Sequence, residues 1–300
     1  MRVVSVLPSA TEIVFALGHG SELVGRSSEC DFPAEARRLP AVMRPRTLDS
    51  DRPSQEIDAR VRESRGEGES LYVLDQLLLE ELRPDLLLTQ DLCGVCSVTE
   101  AEVASACAAA GIHPQIVSLQ PTCLAEVWDS VETVGRALGD PARARALADS
   151  LRARTAPRRA TGRTVAVVEW LDPPILSGLW TPELIRSAGG TPIGPGPSEA
   201  GVRTTWTELR RAEPDLVLVS PCSFSVERSR RELADRRLRA AVSAVRPPLG
   251  MFVADEAYFS RPGPRIADGA DLIRTLFEGK PPRGPMAVEN IVSLWPEATA

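Results

Sequence analysis

Four cysteines carry the most distinctive chemistry open to this chain: Cys93 and Cys96, separated by Gly94-Val95, together with Cys30 and Cys222. A two-residue gap lets both sulfurs of the pair grip one ion, and four thiolates would satisfy tetrahedral zinc or an iron–sulfur cluster. The same spacing serves a redox dithiol, and burial as a small hydrophobe is the ordinary fate of a free cysteine. There is only one such pair, no thioredoxin-like context surrounds it, and neither His19 nor His113 is near it in sequence. The residues therefore leave metal, redox and packing open. Glu29 and Glu169 could serve as an acid and a base. No histidine is placed to activate a nucleophile, and the chain has neither Gly-x-Ser-x-Gly nor a phosphate-binding glycine loop, which weighs against a hydrolase or nucleotide enzyme. Aromatic residues number only 13. Trp170, Trp180, Tyr258 and Phe259 all fall in predicted strand-end loops, with Arg261 close behind, and flat apolar walls with a few polar groups suit a large planar ligand. For Trp180, packing in the core is an equal alternative.

The elements that must position these groups follow from two related phrases. Residues 83–96, RPDLLLTQDLCGVC, place Pro84-Asp85 before an apolar run short enough for a buried parallel strand, then deliver Gln90, Asp91, Cys93 and Cys96. Residues 213–222, EPDLVLVSPC, repeat the design about 130 residues later, which suggests two similar lobes. In open parallel sheets ligands bind beyond the carboxyl ends of the strands, where these residues fall. At the start, a strand over residues 2–7 runs through Pro8, Ser9, Ala10 and Thr11 into a helix reaching Leu17, with Ser9 or Thr11 as its cap and an anion or amide pocket at its amino terminus. A second strand, Leu23-Val24-Gly25, delivers Ser27, Ser28, Glu29 and Cys30. Residues 44–70 read as a mobile surface loop broken by a short helix near Ser54 to Val61. Further strands are expected at 115–119, 164–168 and 251–254. Helices are expected at 72–82, 99–110 (with Cys107 as a core residue), 124–138, 140–156, 207–212 and 265–277.

Composition narrows the function. The net charge of −6 and pI near 5.3 argue against nucleic acid or an anionic membrane as the main partner. No window approaches 18 uninterrupted apolar residues, so no membrane insertion is expected. The apolar start is split by Pro8, Ser9, Thr11 and Glu12 and lacks the form of a signal peptide, so the chain is expected to begin at Met1 and to be cytoplasmic. Six cysteines in 300 residues are too few for a disulfide scaffold.

VVSVLPSATEIVFALG with GRSSECDFP, LRPDLLLTQ, PPILSG, EPDLVLVSPC and YFSRPGPRI occur in this order over nearly the whole chain. Together they resemble the vitamin B12 (cobalamin)-binding substrate-binding proteins of ABC importers, whose lobes are joined by a helical backbone. The resemblance implies an α/β fold of two Rossmann-like lobes with central parallel sheets and a ligand cleft between them. It divides the chain into an N-terminal lobe at 1–120, connecting helices at 121–160 and a C-terminal lobe at 161–300. It also implies a non-enzymatic binding protein for cobalamin, a related corrinoid or another metal chelate, with an ABC transporter permease as partner. The ligand contacts it implies are Pro8 to Thr11, Gln90 to Cys93, Glu169-Trp170 and Tyr258-Phe259. Two departures stand out: no export signal is seen, and Cys-Gly-Val-Cys is absent from the secreted proteins but is similar to a cytosolic-looking subgroup. The competing expectation is a zinc or iron–sulfur protein or enzyme built on the cysteines.

Overall fold

The structure, a computed structural model, describes residues 1–46, 52–67, 70–91, 98–280 and 288–290. The chain divides into two compact units. The first comprises Met1–Arg52, Glu56–Pro121 and Ala125–Arg152, and the second Pro53–Gln55, Thr122–Leu124 and Ala153–Ala300.

The first unit is built from β1 (Val3–Ser5), α1 (Pro8–Ala16), β2 (Leu23–Ser27), β3 (Ala41–Pro45), α2 (Ser54–Glu67) apart from its first two residues, β4 (Tyr72–Leu74), α3 (Gln76–Leu82), β5 (Leu86–Gln90), α4 (Glu100–Ala109), β6 (Gln115–Leu119), α5 (Leu124–Ala137) apart from its first residue, and most of α6 (Pro141–Arg154). Its sheet order is β4-β3-β2-β1-β5-β6, parallel except for the edge pair β3–β4. Val3, Val4 and Leu86 to Leu88 are fully buried, as a strand covered on both faces requires. Cys107 lies in the core that α4 forms with Val4, Leu79 and Leu87, and burial pushes its thiol up. Gly135 of α5 is required because an added Cβ would stand 2.1 Å from the Cβ of Ala144 on α6.

The second unit contains β7 (Thr164–Leu171), β8 (Pro174–Leu176), α7 (Thr181–Ser187), β9 (Thr191–Pro192), β10 (Val202–Arg203), α8 (Trp206–Arg211), β11 (Leu216–Val219), α9 (Val226–Leu233), α10 (Arg236–Ser243), β12 (Met251–Ala254), α11 (Ile266–Phe277) and β13 (Val288–Asn290). The order is β10-β8-β7-β11-β12-β13, with β9 beside the first half of β7. The central β7, β11 and β12 are parallel, and β8, β10 and β13 add antiparallel pairs.

The two repeated phrases become the equivalent strands β5 and β11, each beside the first strand of its unit. The equivalence extends to single atoms. Arg83 and Glu213 both take left-handed backbone, φ 41° and 47°, to end the preceding helix. Pro84 and Pro214 follow, and then the aspartates clasp the neighbouring strand. The Asp85 carboxylate accepts from the Arg2 amide at 2.7 Å, and the Asp215 carboxylate accepts from the Thr164 amide at 2.7 Å.

Four expectations change. Tyr72 to Leu74, expected at the start of a helix, form β4 against β3, and the Asp75 cap delays α3 to Gln76. Residues 44–70 are more regular than the loop expected from their charge: β3 reaches Pro45, and α2 runs on to Glu67 with Ser54 and Asp58 buried. Residues 223–246 hold α9 and α10, and β13 adds a strand in the proline-rich tail. Neither Ser9 nor Thr11 caps α1. Pro8 takes the first helical position, which makes Leu7 the cap residue with no side-chain bond.

Candidate functional site

In each sheet the chain leaves the first strand in one direction and returns on its other side, so both sheets have a switch point at which adjacent strand-end loops part. In the first unit that point lies between β1 and β5, because β2, β3 and β4 lie on one side and β5 and β6 on the other. Pro8 to Thr11 and Gln90-Asp91 leave the strands there. The Thr11 hydroxyl turns inward, 2.9 Å from Ser5 Oγ and 3.1 Å from Cys30 Sγ. Ala10 is fully buried, whereas Pro8 and Gln90 are half-buried and Asp91 is exposed. Ser9 differs from its neighbours. It is 1% exposed, it sits in the first turn of a helix without a side-chain cap, and its Oγ has no hydrogen-bond partner among the described residues. A buried hydroxyl in that position lacks a polar partner that burial ordinarily demands. Glu29 is half-buried beyond β2, accepting from Ser28 Oγ at 3.2 Å. The concavity at the end of β6, lined by Ser118, Gln120, Glu126 and Ser130 among others, holds about 190 Å³, well below the volume of an ordinary ligand pocket.

In the second unit the switch point lies between β7 and β11. Glu169 and Trp170 are half-buried near the end of β7, and the Cys222 amide beyond β11 donates to the Glu169 carbonyl at 3.0 Å. The Trp170 ring packs against Phe224, centroids 5.3 Å apart, and Arg228 of α9 stacks on the other ring, 4.7 Å from the Phe224 centroid. Arg228 also pairs with Glu232 at 3.5 Å, and Glu232 accepts from the amide and hydroxyl of Ser54 at 2.7 and 2.6 Å. Trp170 Nε1 donates to the Ser54 carbonyl at 3.3 Å. Beyond β12, Arg261 pairs with buried Glu256, which also accepts from the Ser223 amide. Burial pushes the Glu256 carboxyl up, against the pull of Arg261 and that amide. Each of these arginines thus has a carboxylate beside it.

The expected aromatic wall is only partly present. Trp170 lies at the strand end, but Phe259 is fully buried and Trp180 and Tyr258 are each 4% exposed. Trp180 Nε1 donates to the Phe259 carbonyl at 2.7 Å, which places the indole in the core, the other reading of its sequence. Phe224, Arg228 and Glu256, which sequence reasoning passed over, stand closer to Trp170 and Arg261. The one usable signal was Phe224, a scarce aromatic two residues past Cys222.

The four-thiolate set is not assembled among the described residues, where no group of three or more His, Cys, Asp or Glu is placed to hold a metal. Cys93 and Cys96 lie outside the described residues. Cys30 is 1% exposed against Thr11 and Ser5, while Cys222 belongs to the second unit. Glu29 and Glu169 likewise belong to different units.

No family model matches the chain, and no curated protein matches it. Solved structures do. A periplasmic heme-binding protein from Pseudomonas aeruginosa is 20% identical, with a TM-score of 0.69 over 96% of this chain and 97% of the other. The periplasmic vitamin B12-binding protein of Vibrio cholerae is 19% identical, with a TM-score of 0.61 over 92% and 96%. A protein of an ABC-type ferric hydroxamate transport system from Saccharomonospora viridis is 19% identical, with a TM-score of 0.62 over 92% of each chain. Two of these three are described as periplasmic, which contradicts the cytoplasmic placement expected from the sequence. Among the described residues no helix is long and apolar enough to cross a membrane. The fold is that of the class III periplasmic binding proteins: two mixed α/β lobes built on parallel-rich sheets.

Proposed function

We propose that the chain is a solute-binding protein that takes a metal chelate on its strand-end loops and passes it to an ABC transporter permease, without catalysing a reaction. Structures of the same fold are described as binding heme, vitamin B12 or belonging to ferric hydroxamate transport, all metal chelates. Within this class a corrinoid, cobalamin foremost, is the finer reading, supported by the sequence resemblance in VVSVLPSATEIVFALG and YFSRPGPRI. The observation that carries the site is Ser9: a buried hydroxyl without a partner among the described residues, at an uncapped helix start beside the switch point of the first sheet. A polar group of the ligand would complete it.

The test is titration of the purified protein with hydroxocobalamin, hemin and a ferric hydroxamate siderophore, following the ligand spectrum and the protein's melting. Binding only to the folded state adds about 2.7 kcal/mol at a hundredfold excess over Kd. Ser9→Ala should weaken the responding ligand by roughly 2- to 10-fold, the loss of one hydrogen bond, and should not lower the unliganded protein's melting, since the hydroxyl has no partner there to lose. A response to hemin alone keeps the class and removes the corrinoid. Silence from all three at about 100 μM ligand, far above the Kd of a useful carrier, defeats the proposal.

A further inference from the structure

The segment that carries Phe224 is tied to a buried carboxylate. Cys222, Ser223 and Phe224 follow β11, and their backbone amides donate in turn to the Glu169 carbonyl at 3.0 Å, to a carboxylate oxygen of Glu256, and to the Pro221 carbonyl at 3.1 Å. The first and last are backbone bonds that any sequence could make, whereas the middle one depends on a side chain that titrates. Ser223 takes left-handed backbone, φ 62°, which a residue other than glycine keeps only where its surroundings hold it. Phe224, next in the chain, is the ring that packs against Trp170. Glu256, 8% exposed in the turn after β12, accepts from the Ser223 amide on Oε2 and from the Arg261 guanidinium on Oε1. One donor on each oxygen is the complement of an ionised carboxylate. Burial chiefly, with the like charge of Asp255 added, opposes that ionised form, so the proton returns above the ordinary 4.5 of a glutamate. Of the helices packed against β12 and this turn, α9 has Arg228 and Glu232 paired with each other, and α11 has Asp268 paired with Arg154 and Asp271 with Arg274.

We propose that Glu256 is a positioning residue that works as an acid-sensitive latch: ionised, it fixes Phe224 against Trp170, and on taking up a proton in mild acid it lets Phe224 shift and the chelate leave. The neutral acid gives up its ion pair with Arg261 and is a poorer acceptor for the Ser223 amide. Ser223 then relaxes from its left-handed backbone, and Phe224, one residue on, moves with it. Release of a ligand rests on the chelate-binding reading, whereas movement of the ring pair does not. Because one proton is taken up, Kd should rise by up to about tenfold for each pH unit below the transition.

The test follows tryptophan emission of the unliganded full chain from mildly alkaline pH down to 4.5, the ordinary glutamate value. The share of Trp170 is the difference between the parent and Trp170→Phe. That share should change in one step with its midpoint above 4.5, and Glu256→Gln, uncharged at any pH, should give the acid signal at neutral pH and no step. Without any variant, amide exchange of the parent, corrected for the intrinsic rate, should show Ser223 losing protection at the same midpoint. A second arm titrates hydroxocobalamin, hemin and a ferric hydroxamate siderophore on either side of the step. No step above 4.5, a step that persists in Glu256→Gln, or unchanged protection of Ser223 overturns the latch. A chelate bound with equal affinity on both sides of the step overturns its coupling to release. Silence from all three chelates with the step intact removes the chelate reading and leaves the latch standing.

Discussion

Gly269 offers a substitution whose sign, not only its size, is decided by one contact. It lies inside α11, where alanine in place of glycine ordinarily stabilises a helix by about 1 kcal/mol. Here a Cβ would stand 2.2 Å from the carbonyl oxygen of Tyr258 and 3.3 Å from Cε1 of Phe259, whereas Cβ atoms essentially never come within 3.0 Å of another heavy atom. The helix or the Tyr258 turn must therefore move by at least the 0.8 Å between 2.2 and 3.0 Å. The obstacle is backbone, so no rotamer change can relieve it. Neighbouring Phe259 is fully buried, which leaves the turn little room to retreat. Overpacking costs about 1–3 kcal/mol, the upper end where the obstacle is backbone, and against a helix gain of about 1 kcal/mol Gly269→Ala should be destabilising by about 2 kcal/mol. At roughly 2–4 °C per kcal/mol for a domain of this size, melting of the second unit should fall by several degrees. Thermal and urea unfolding followed by circular dichroism would measure it. An alanine variant as stable as the parent, or more stable, refutes the packing argument.

Two further outcomes follow from hydrogen bonds. Trp180→Phe should remove the donor to the Phe259 carbonyl and leave that buried oxygen without it, costing about 1–3 kcal/mol in urea unfolding; an unchanged midpoint would show the indole is not held there. His19 Nδ1 lies 2.8 Å from a Glu22 carboxylate oxygen and Nε2 3.4 Å from one of Asp140, and the protonated ring donates to both. The Glu22 bond chiefly, with Asp140, raises its pKa from 6.5 despite partial burial. Because the folded value lies above the unfolded one, His19 contributes its full stabilisation below pH 6.5 and loses it as pH rises through the raised value. His19→Gln should flatten that part of the stability–pH curve, and an identical curve would show that the histidine does not titrate against these carboxylates.

What the sequence made legible depends on how strongly single residues constrain their own backbone. Leu86 to Leu88 and Leu216 to Val219 were readable as buried strands because an apolar run behind Pro-Asp has few other places to go. The caps of α1 were misread because hydroxyls at Ser9 and Thr11 suggest a cap, whereas Pro8 at the first position shifts that role to Leu7 and frees Thr11 to face Cys30. Between Val226 and Val242 the apolar periodicity is carried by four side chains among seven arginines and three carboxylates up to Arg246, too thin a signal to show two helices. At the site, the residue types were largely right and their directions were not. Trp170 and Trp180 are alike in sequence, and only their partners, Ser54 and Phe259, separate a strand-end indole from a core one.

The internal repeat sharpens this distinction between what builds and what binds. The part that is the same in both copies, a left-handed residue, proline and aspartate, is consumed in joining β5 to β1 and β11 to β7. At the strand ends the copies part: Thr89 of β5 donates its Oγ1 to the Val98 carbonyl at 3.2 Å where the second copy has Val219, and Ser220, opposite Gln90, donates its Oγ to the Asp255 carbonyl at 3.1 Å. Divergence thus begins with Thr89-Gln90-Asp91 in one copy and Val219-Ser220-Pro221 in the other. Each sheet needs the shared residues in order to fold and is indifferent to the others. On the proposed function, substitutions at Asp85 or Asp215 therefore act on stability, while choice among chelates is written in the residues at which the two copies part.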